Sequence, residues 1–305
     1  VERSRGLGDV YKRQLVMISM MLLQLARGKA CGERVVEVLD TEIDIVNPEN
    51  PFVPTEPKGE VEFRNVNFKY DPESKGDNIL ENVSFKAKAG QIIGIVGGTG
   101  CGKSSLVNLI PRLYDVTGGS VLIDGVDVRE YDLKALREMI GVVLQKNVLF
   151  SGTIEENIRW GKKDATHEEI VAACKASQAD AFVNEQPDGY NTYLSQGGLN
   201  LSGGQKQRLC IARAMIKKPK ILILDDSTSA VDTATEAKIR ESFYSDLKDT
   251  TVFIIAQRIS SVKDADEILV VDEGEIKGIG NHEELMKTNE IYQEIYNTQQ
   301  KGVLE

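Results

Sequence analysis

The sequence is short of the residues that form metal sites and disulfide scaffolds. Its 305 residues contain four cysteines and two histidines, and the cysteines lie 70, 73 and 36 positions apart. No CxxC pair occurs and no histidine stands at ligand spacing from a cysteine, which argues against a zinc site and a disulfide framework. Unpaired cysteines fit a reducing cytoplasm. The two histidines, His167 and His282, are expected to be structural residues.

Positive charge is also scarce. Thirty-seven lysines and arginines face 47 acidic residues, which gives a net charge of −10 and a pI near 5.0. Proteins that bind nucleic acid in general carry a basic surface, so this balance predicts no nucleic-acid partner. A hydrophobic content of 41% with 28% charged residues excludes a disordered chain, and a length of 305 residues allows one large domain or two modest ones.

The opening of the chain lacks a secretory signal. The chain starts with Val1, and residues 1–14 have no apolar core and neither helical nor strand periodicity, so we expect a leader foreign to the protein. Residues 15–26 (LVMISMMLLQLA) are apolar at ten of twelve positions, where a membrane span needs roughly 20 such residues. We interpret residues 15–46 as the cytoplasmic end of a truncated transmembrane helix and its extension; a buried core helix is the alternative.

Regularly spaced prolines mark a boundary. Pro48, Pro51, Pro54 and Pro57 stand three residues apart, which is the period of the polyproline II helix. The spacing predicts a stiff, extended linker over residues 47–58. A PxxP ligand for another protein is the alternative interpretation.

The pattern from residue 59 to residue 297 is that of an α/β domain, followed by a tail at 298–305. Alternating apolar residues from Val61 to Tyr70 predict a half-buried strand. Short apolar runs predict further strands at 92–96, 121–123, 141–144, 221–224, 251–255 and 268–271. Helical stretches separate several of them, which indicates a mostly parallel sheet. Residues 153–216 contain no convincing strand and predict a helical insertion.

A phosphate-binding loop follows the strand at 92–96. Its sequence GGTGCGKS satisfies GxxxxGK[ST] with Gly97, Gly98, Thr99, Gly100, Cys101, Gly102, Lys103 and Ser104. Glycines let the backbone approach phosphates, and amide groups at a helix start favour anions. Lys103 is expected to reach the β- and γ-phosphates and Ser104 to ligate Mg²⁺. Cys101 occupies a variable position, so no catalytic thiol is expected.

Two further segments carry groups suited to a nucleotide. The strand at 221–224 ends in Asp225, and such a carboxylate in a P-loop protein holds Mg²⁺, often through water. Ser202 and Gly203 precede a helical pattern, where the serine is either a plain N-cap or part of a second phosphate site. A chain with one P-loop needs a second such site only if it serves another subunit.

The order GGTGCGKSS, Gln145, LSGGQKQR, ILILDD, SAVD and Gln257 resembles the nucleotide-binding domain of ABC transporters, over residues 59–297. Residues 15–58 resemble the end of the last transmembrane helix and the linker of an exporter half-transporter. The resemblance implies an α/β P-loop NTPase fold: a RecA-like core with a mostly parallel sheet, a small antiparallel β subdomain and an inserted α-helical subdomain. It also implies transport-coupled ATP hydrolysis at the cell (plasma) membrane, with this domain on the cytoplasmic side.

The same resemblance assigns roles to single residues. Tyr70 matches an aromatic that stacks on adenine, Ser105 continues the P-loop, and Gln145 matches a glutamine that contacts Mg²⁺. The segment VLFSGTIEENI (148–158) resembles the surface that receives the coupling helices of the membrane domain. Ser229–Asp232 matches the loop that links the two sites of a dimer. Four signature residues would hold the γ-phosphate of ATP bound to the opposite subunit: Ser202, Gly203, Gly204 and Gln205.

Three positions depart from the family pattern. Asp226 stands where the family has a catalytic glutamate, Gln257 where it has a switch histidine, and Gln196 where exporters usually have glutamate. The aspartate withdraws the carboxylate by roughly 1.3 Å, and a misplacement of that size can cost ~10²-fold in rate. Because the first two changes fall on one composite site, the sequence predicts a degenerate site whose LSGGQ completes a competent site in a second, different half-transporter.

Other assignments remain open at this point. A homodimeric exporter that tolerates Asp226 and Gln257 is the alternative within the family. A soluble ABC ATPase of DNA repair or translation is an alternative from another class, against which the apolar segment at 15–26 and the charge of −10 both argue. A P-loop kinase is disfavoured by the LSGGQ motif.

Overall fold

The computed structural model describes residues 2–74, 76–226 and 233–301, and the chain divides into two compact units between Val46 and Asn47. Within the described residues the helices and strands are, in chain order, α1 (Glu2–Leu39), β1 (Val61–Phe68), β2 (Leu80–Ala87), β3 (Ile92–Val96), α2 (Lys103–Asn108), β4 (Gly118–Ile123), β5 (Val126–Asp127), α3 (Leu133–Glu138), β6 (Ile140–Val143), β7 (Gly152–Thr153), α4 (Ile154–Arg159), α5 (His167–Ala176), α6 (Asp180–Asn184), β8 (Tyr193–Leu194), α7 (Gly203–Met215), β9 (Ile221–Asp225), α8 (Thr233–Asp246), β10 (Thr251–Ile255), β11 (Glu267–Asp272), β12 (Glu275–Gly280), α9 (His282–Thr288) and α10 (Glu290–Lys301).

The first unit contains one long helix, α1. Its segment Val10–Leu39 is long and apolar enough, by length and composition, to cross a membrane. The apolar side chains of Leu15, Met17 and Leu22 are more than half exposed, unlike those of a core helix. The helix also includes residues 2–14, although their sequence has neither helical nor strand periodicity. The segment contains no proline, and extending an existing helix costs far less than starting one.

The linker at residues 47–58 lies against the α/β unit. Phe52 exchanges backbone hydrogen bonds of 2.7 and 2.9 Å with the residues flanking Tyr131, and the two rings meet edge to face at 5.1 Å. The side chain of Asn47 donates to Asp132 Oδ2 at 2.8 Å. The segment is therefore fastened at two points, which the proline spacing alone does not reveal.

A four-stranded antiparallel sheet forms one layer, in the order β2-β1-β4-β5. Its start is fixed by Asp124, which lies in the turn between β4 and β5 with φ 51°. The Asp124 carboxylate accepts backbone N–H groups from Lys58, Gly59 and Glu60 at 2.8, 3.0 and 2.9 Å. One side chain thus satisfies three consecutive amides where the chain enters β1.

The central layer is a six-stranded sheet in the order β12-β11-β3-β10-β9-β6. Its first pair is antiparallel and the other four are parallel, which confirms the mostly parallel sheet. Both faces of β3 are covered: Ile92 and Val96 pack in one core, and Ile93 and Ile95 pack in the other. Burial on both faces explains why this strand is an unbroken apolar run.

The insertion after β6 is helical, as expected, and contains α4, α5, α6 and α7. Thr153 and Thr166 begin α4 and α5 with capping boxes, in which the threonine and a glutamate three residues later satisfy each other's backbone amides. The expectation of no strand is wrong at one place, where β7 pairs with β8. Each strand has two residues, too few for an alternating pattern.

We expect Asp124→Ala to lower the free energy of unfolding by about 2–3 kcal/mol, because it leaves several amides without an acceptor. Asp124→Asn should cost less, since asparagine keeps one acceptor and tolerates the positive φ. Urea denaturation measures both, and Asp77→Ala, at an exposed aspartate, is the matched control. Equal midpoints for Asp124→Ala and Asp77→Ala would contradict this role of Asp124.

Candidate nucleotide-binding site

Four parallel strands end at the same edge of the central sheet, and a candidate site segment follows each. β3 leads into the P-loop at Gly97, β9 ends at Asp225, β10 leads to Gln257 and β6 leads to Gln145. β10 lies between β3 and β9, and β6 lies beyond β9. Ligands of open α/β sheets bind at the carboxyl ends of such strands. The sheet order therefore gathers segments that are up to 160 residues apart in sequence.

The P-loop depends on two glycines. A Cβ at Gly97 would lie 2.0 Å from the backbone oxygen of Val271, and a Cβ at Gly102 would lie 2.8 Å from the Leu80 side chain. Both glycines have positive φ, 154° and 99°, a region that side chains disfavour. A Cβ at Gly98, in contrast, would meet no atom within 4 Å. The loop is thus packed against the fold at its ends and open between them.

Lys103 lies at the start of α2 and turns its ammonium toward the loop. Its Nζ donates to the carbonyl oxygens of Gly97 at 3.0 Å and Gly98 at 2.5 Å, and lies 3.6 Å from Cys101 Sγ. Cys101 is buried. The ammonium therefore lies within the open loop, where it can meet a phosphate.

Ser104 and Asp225 form the pair of groups suited to a cation. Ser104 Oγ donates to Asp225 Oδ1 at 3.1 Å, so two oxygens from different elements converge. Among the described residues no group of three or more His, Cys, Asp or Glu side chains can hold a metal. Two protein oxygens fit Mg²⁺, which takes its other ligands from water and substrate phosphates.

Asp226 lies between Gln145 and Gln257, the other two residues that the resemblance places in the catalytic site. It is buried, and its Oδ2 accepts hydrogen bonds from Gln257 Nε2 at 2.7 Å and from Gln145 Nε2 at 3.4 Å. Its backbone has φ 46°, and its amide donates to Ile255 O at 3.0 Å. The structure thus brings all three side chains together around one carboxylate.

Burial raises the pKa of both acidic residues. For Asp225 desolvation dominates, while the hydrogen bond from Ser104 and the charge of Lys103 lower the pKa. For Asp226 desolvation again dominates; Gln145 lowers the pKa, the charge of Asp225 raises it, and Gln257 and Lys103 lower it. The net effect is a raised pKa for each residue, so the ionised carboxylates lower the stability of the folded chain.

Tyr70 lies two residues beyond the end of β1 rather than at the end of the predicted strand. Its hydroxyl lies 2.8 Å from Ser105 Oγ, so it reaches the helix that follows the P-loop. Its half-exposed ring meets Tyr114 edge to face, with centroids 5.0 Å apart. Tyr114 was not singled out from the sequence, because one aromatic residue in a connection carries no periodic signal.

The signature residues begin α7. Ser202 Oγ accepts the Gln205 amide at 3.3 Å, and Gln205 Oε1 accepts the Ser202 amide at 2.9 Å. Ser202 and Gly203 are exposed, and Gly204 and Gln205 are partly exposed. The N-cap interpretation is therefore correct, and the same helix start stays open to solvent, where it can take an anion.

Two other predicted features have simple locations. Gln196 begins a short 3₁₀ turn (Gln196–Gly198) and is exposed. Ser229–Asp232, predicted to link the two sites of a dimer, lies outside the described residues.

We expect Asp226→Asn to raise stability at pH 7. Because the pKa of Asp226 is raised in the folded chain, its ionisation opposes folding: stability is highest below the unfolded value of about 3.9 and falls as pH rises through the folded pKa. Asparagine removes that loss and tolerates φ 46°. The urea midpoint of the variant should therefore exceed that of the wild type by an amount that grows between pH 4 and pH 8. The prediction is contradicted if Asp226→Asn is less stable than wild type at pH 7 while the control Asp77→Asn has the wild-type midpoint.

Residues 80–229 match the sequence family described as ABC transporter. The chain is 45% identical to an ABC transporter ATP-binding protein of Bacillus subtilis, over 95% of this chain and 49% of that protein. It is 41% identical to the ATP-dependent lipid A-core flippase of Haemophilus influenzae, over 95% of this chain and 49% of that protein. The chain thus spans about half the length of the curated relatives it matches.

A solved structure of a bacterial Atm1-family ABC exporter with ATP bound is similar, with a TM-score of 0.84 and 36% identity over 94% of this chain and 50% of that chain. The likeness confirms the P-loop α/β fold with its antiparallel subdomain, inserted helices and apolar N-terminal helix. The resemblance to ABC transporters seen in the sequence is confirmed as well. The chain belongs to the ABC transporter family and carries its ATP-binding domain.

Proposed function

We propose that the chain is the ATP-binding and hydrolysing part of an ABC exporter, in which ATP binding, dimerisation and hydrolysis drive transport across a membrane. The observation that carries the proposal is the convergence of Lys103, Ser104 and Asp225 at one sheet edge. One relative is named an ATP-dependent lipid A-core flippase, the similar solved structure is a bacterial Atm1-family ABC exporter, and α1 has the length and composition of a membrane span. The domain then lies on the cytoplasmic side of the cell membrane.

In this proposal each residue of the site has a distinct task. The P-loop amides and Lys103 bind the phosphates, Tyr70 stacks on the adenine, and Ser104, Asp225 and Gln145 hold Mg²⁺. The metal would neutralise charge that develops on the γ-phosphate. Asp226 would accept a hydrogen bond from the attacking water.

We propose further that this ATP site is degenerate. The side-chain amide of Gln257 donates a hydrogen bond to Asp226 Oδ2 at 2.7 Å, and an amide cannot carry the positive charge of an imidazolium. The carboxylate is also roughly 1.3 Å short of a glutamate's reach. Slow hydrolysis at this site follows.

The signature residues would serve a second subunit. Ser202 and Gly203 are exposed at the start of a 13-residue helix, which suits the γ-phosphate of ATP bound by a partner. A second, different half-transporter would then supply the competent glutamate and histidine. A homodimer with two slow sites is the alternative.

An exposed apolar patch would receive the membrane domain. Phe150 and Trp160 are 45% and 68% exposed, and their rings lie 4.8 Å apart. Arg213 lies over the Phe150 ring at 5.9 Å, and Val142 and Leu144 are exposed nearby in sequence. Exposed apolar patches on soluble domains mark interaction sites. We propose that coupling helices of the membrane domain bind here.

A soluble ABC ATPase not coupled to transport is the candidate from another class. The exposed apolar segment Val10–Leu39 argues against it. Fractionation of expressing cells separates the two functions: the exporter part should remain with membranes after a salt wash, whereas a soluble ATPase should be released.

We expect Lys103→Ala to abolish MgATP binding and Gly203→Asp to leave it nearly unchanged. The first removes the ammonium that meets the phosphates, and the second places a carboxylate at a helix start that serves only the partner's nucleotide. Calorimetry on the two variants and wild type measures this, with Ser202→Ala as a milder change at the same helix start. Loss of binding in Gly203→Asp would show that the signature acts on the chain's own nucleotide.

We expect Asp226→Glu with Gln257→His to give this site measurable hydrolysis in the assembled heterodimer, and either change alone to raise it little. Both groups act in one transition state, so their effects should be non-additive. The measurement is single-turnover hydrolysis with the partner's catalytic glutamate changed to glutamine.

The chain expressed alone is the matched comparison. If the doubly changed chain hydrolyses ATP as fast alone as in the heterodimer, the homodimer alternative is favoured. If the double change gives no hydrolysis in either form, Asp226 and Gln257 do not limit the site, and Gln196 or the partner's signature becomes the next position to change.

A further inference from the structure

We propose that Gln299, near the end of α10, is a positioning residue that holds residues 257–261, here called the switch segment, in place beside the ATP site. The proposal rests on the proposed role of Gln257 next to Asp226. It assigns to the C-terminal helix a part in setting the geometry of the site. No feature of the nucleotide motifs points to this helix.

The side-chain amide of Gln299 contacts the backbone of the switch segment on both sides of Arg258. Gln299 Nε2 donates to the backbone oxygen of Gln257 at 2.7 Å, and Gln299 Oε1 accepts the backbone amide of Ile259 at 2.9 Å. Ile259 is buried and begins a 3₁₀ turn (Ile259–Ser261), so the hydrogen bonds of that turn do not satisfy its amide. Gln299 therefore satisfies two backbone groups of the segment at once.

The helix that carries Gln299 is anchored in the core. Tyr292 is fully buried, and its hydroxyl lies 2.8 Å from His282 Nδ1. Gln299 follows Tyr292 by seven residues and so projects from the same face of α10. A side chain on a fixed helix face holds its contacts more closely than one on a loop.

A second helix holds the far end of the switch segment. Arg240 Nη1, from α8, donates to the Ser260 backbone oxygen at 2.7 Å. Beside the segment lies a groove of about 1130 Å³, lined by Arg258, Lys263 and Tyr296 among others. The groove leaves room for the backbone to move if the contacts from α10 are lost.

Gln257 links α10 to the ATP site. The backbone of Gln257 is held by Gln299, and its side chain donates to Asp226 Oδ2 at 2.7 Å. A shift of the backbone at position 257 therefore moves the donor on the carboxylate. Displacements of about 1 Å at such groups cost up to ~10²-fold in rate.

The test uses the whole chain with Gln299→Ala, Gln299→Glu and the control Gln300→Ala, which removes the same side chain at the exposed next position of α10. We expect the Ile259 amide to exchange with deuterium roughly tenfold faster in Gln299→Ala and at the wild-type rate in the control. Gln299→Glu should lie between them, because a carboxylate still accepts from Ile259 but cannot donate to Gln257.

Single-turnover hydrolysis at this site gives the second readout. It is measured in the assembled heterodimer with Asp226→Glu and Gln257→His in this chain, the background in which the site has a measurable rate, and with the partner's catalytic glutamate changed to glutamine. Gln299 contacts only the backbone oxygen of residue 257, so its contact is kept in this background. We expect Gln299→Ala to lower the single-turnover rate about tenfold while the Kd for MgATP changes less than about twofold, since the P-loop is untouched. Unchanged exchange at Ile259, or faster exchange with an unchanged rate, would overturn the proposal. A wild-type chain that binds no MgATP would instead overturn the proposed function, and the exchange comparison would still decide whether α10 holds the segment.

Discussion

The parallel register of β3, β10, β9 and β6 is the constraint on which the candidate site depends. Each strand sends its chain out at the same edge of the sheet, with β10 paired on both sides. The P-loop, Asp225, Gln145 and Gln257 therefore converge without any loop having to cross the domain. The geometry is decided by backbone hydrogen bonds in the core, and the polar side chains are added at the ends of strands that are stable for other reasons.

That arrangement places carboxylates where burial opposes their charge. The pKa values of Asp225 and Asp226 are both raised, chiefly by desolvation. Part of this cost is offset by neutral donors, from Ser104 to Asp225 and from Gln257 to Asp226. A bound cation such as Mg²⁺ would offset more of this cost. The buried carboxylates at this edge of the sheet thus lower the stability of the free domain, although the same carboxylates suit a bound cation.

The sequence allowed the P-loop and the strands β3, β6, β9, β10 and β11 of a mostly parallel sheet to be predicted, because local apolar runs and glycine spacing carry that information. It did not reveal β2 or β12: β2 has four exposed residues among its eight, and β12 is an edge strand with two glycines. Contacts between distant side chains were out of reach too. The pairing of Gln257 with Asp226 and the two bonds of Gln299 to the switch segment depend on where α10 and β10 pack.

A hydrogen bond couples Asp226 and Gln257, the two positions expected from the sequence to depart from the family pattern. At φ 46° aspartate is better tolerated than glutamate, and its short carboxylate lies within 2.7 Å of the Gln257 amide. A longer acid would displace that amide, and a histidine would present a ring nitrogen from a shorter side chain. The lengths of the two side chains match, so a change at one position alone disturbs the hydrogen bond from Gln257 to Asp226.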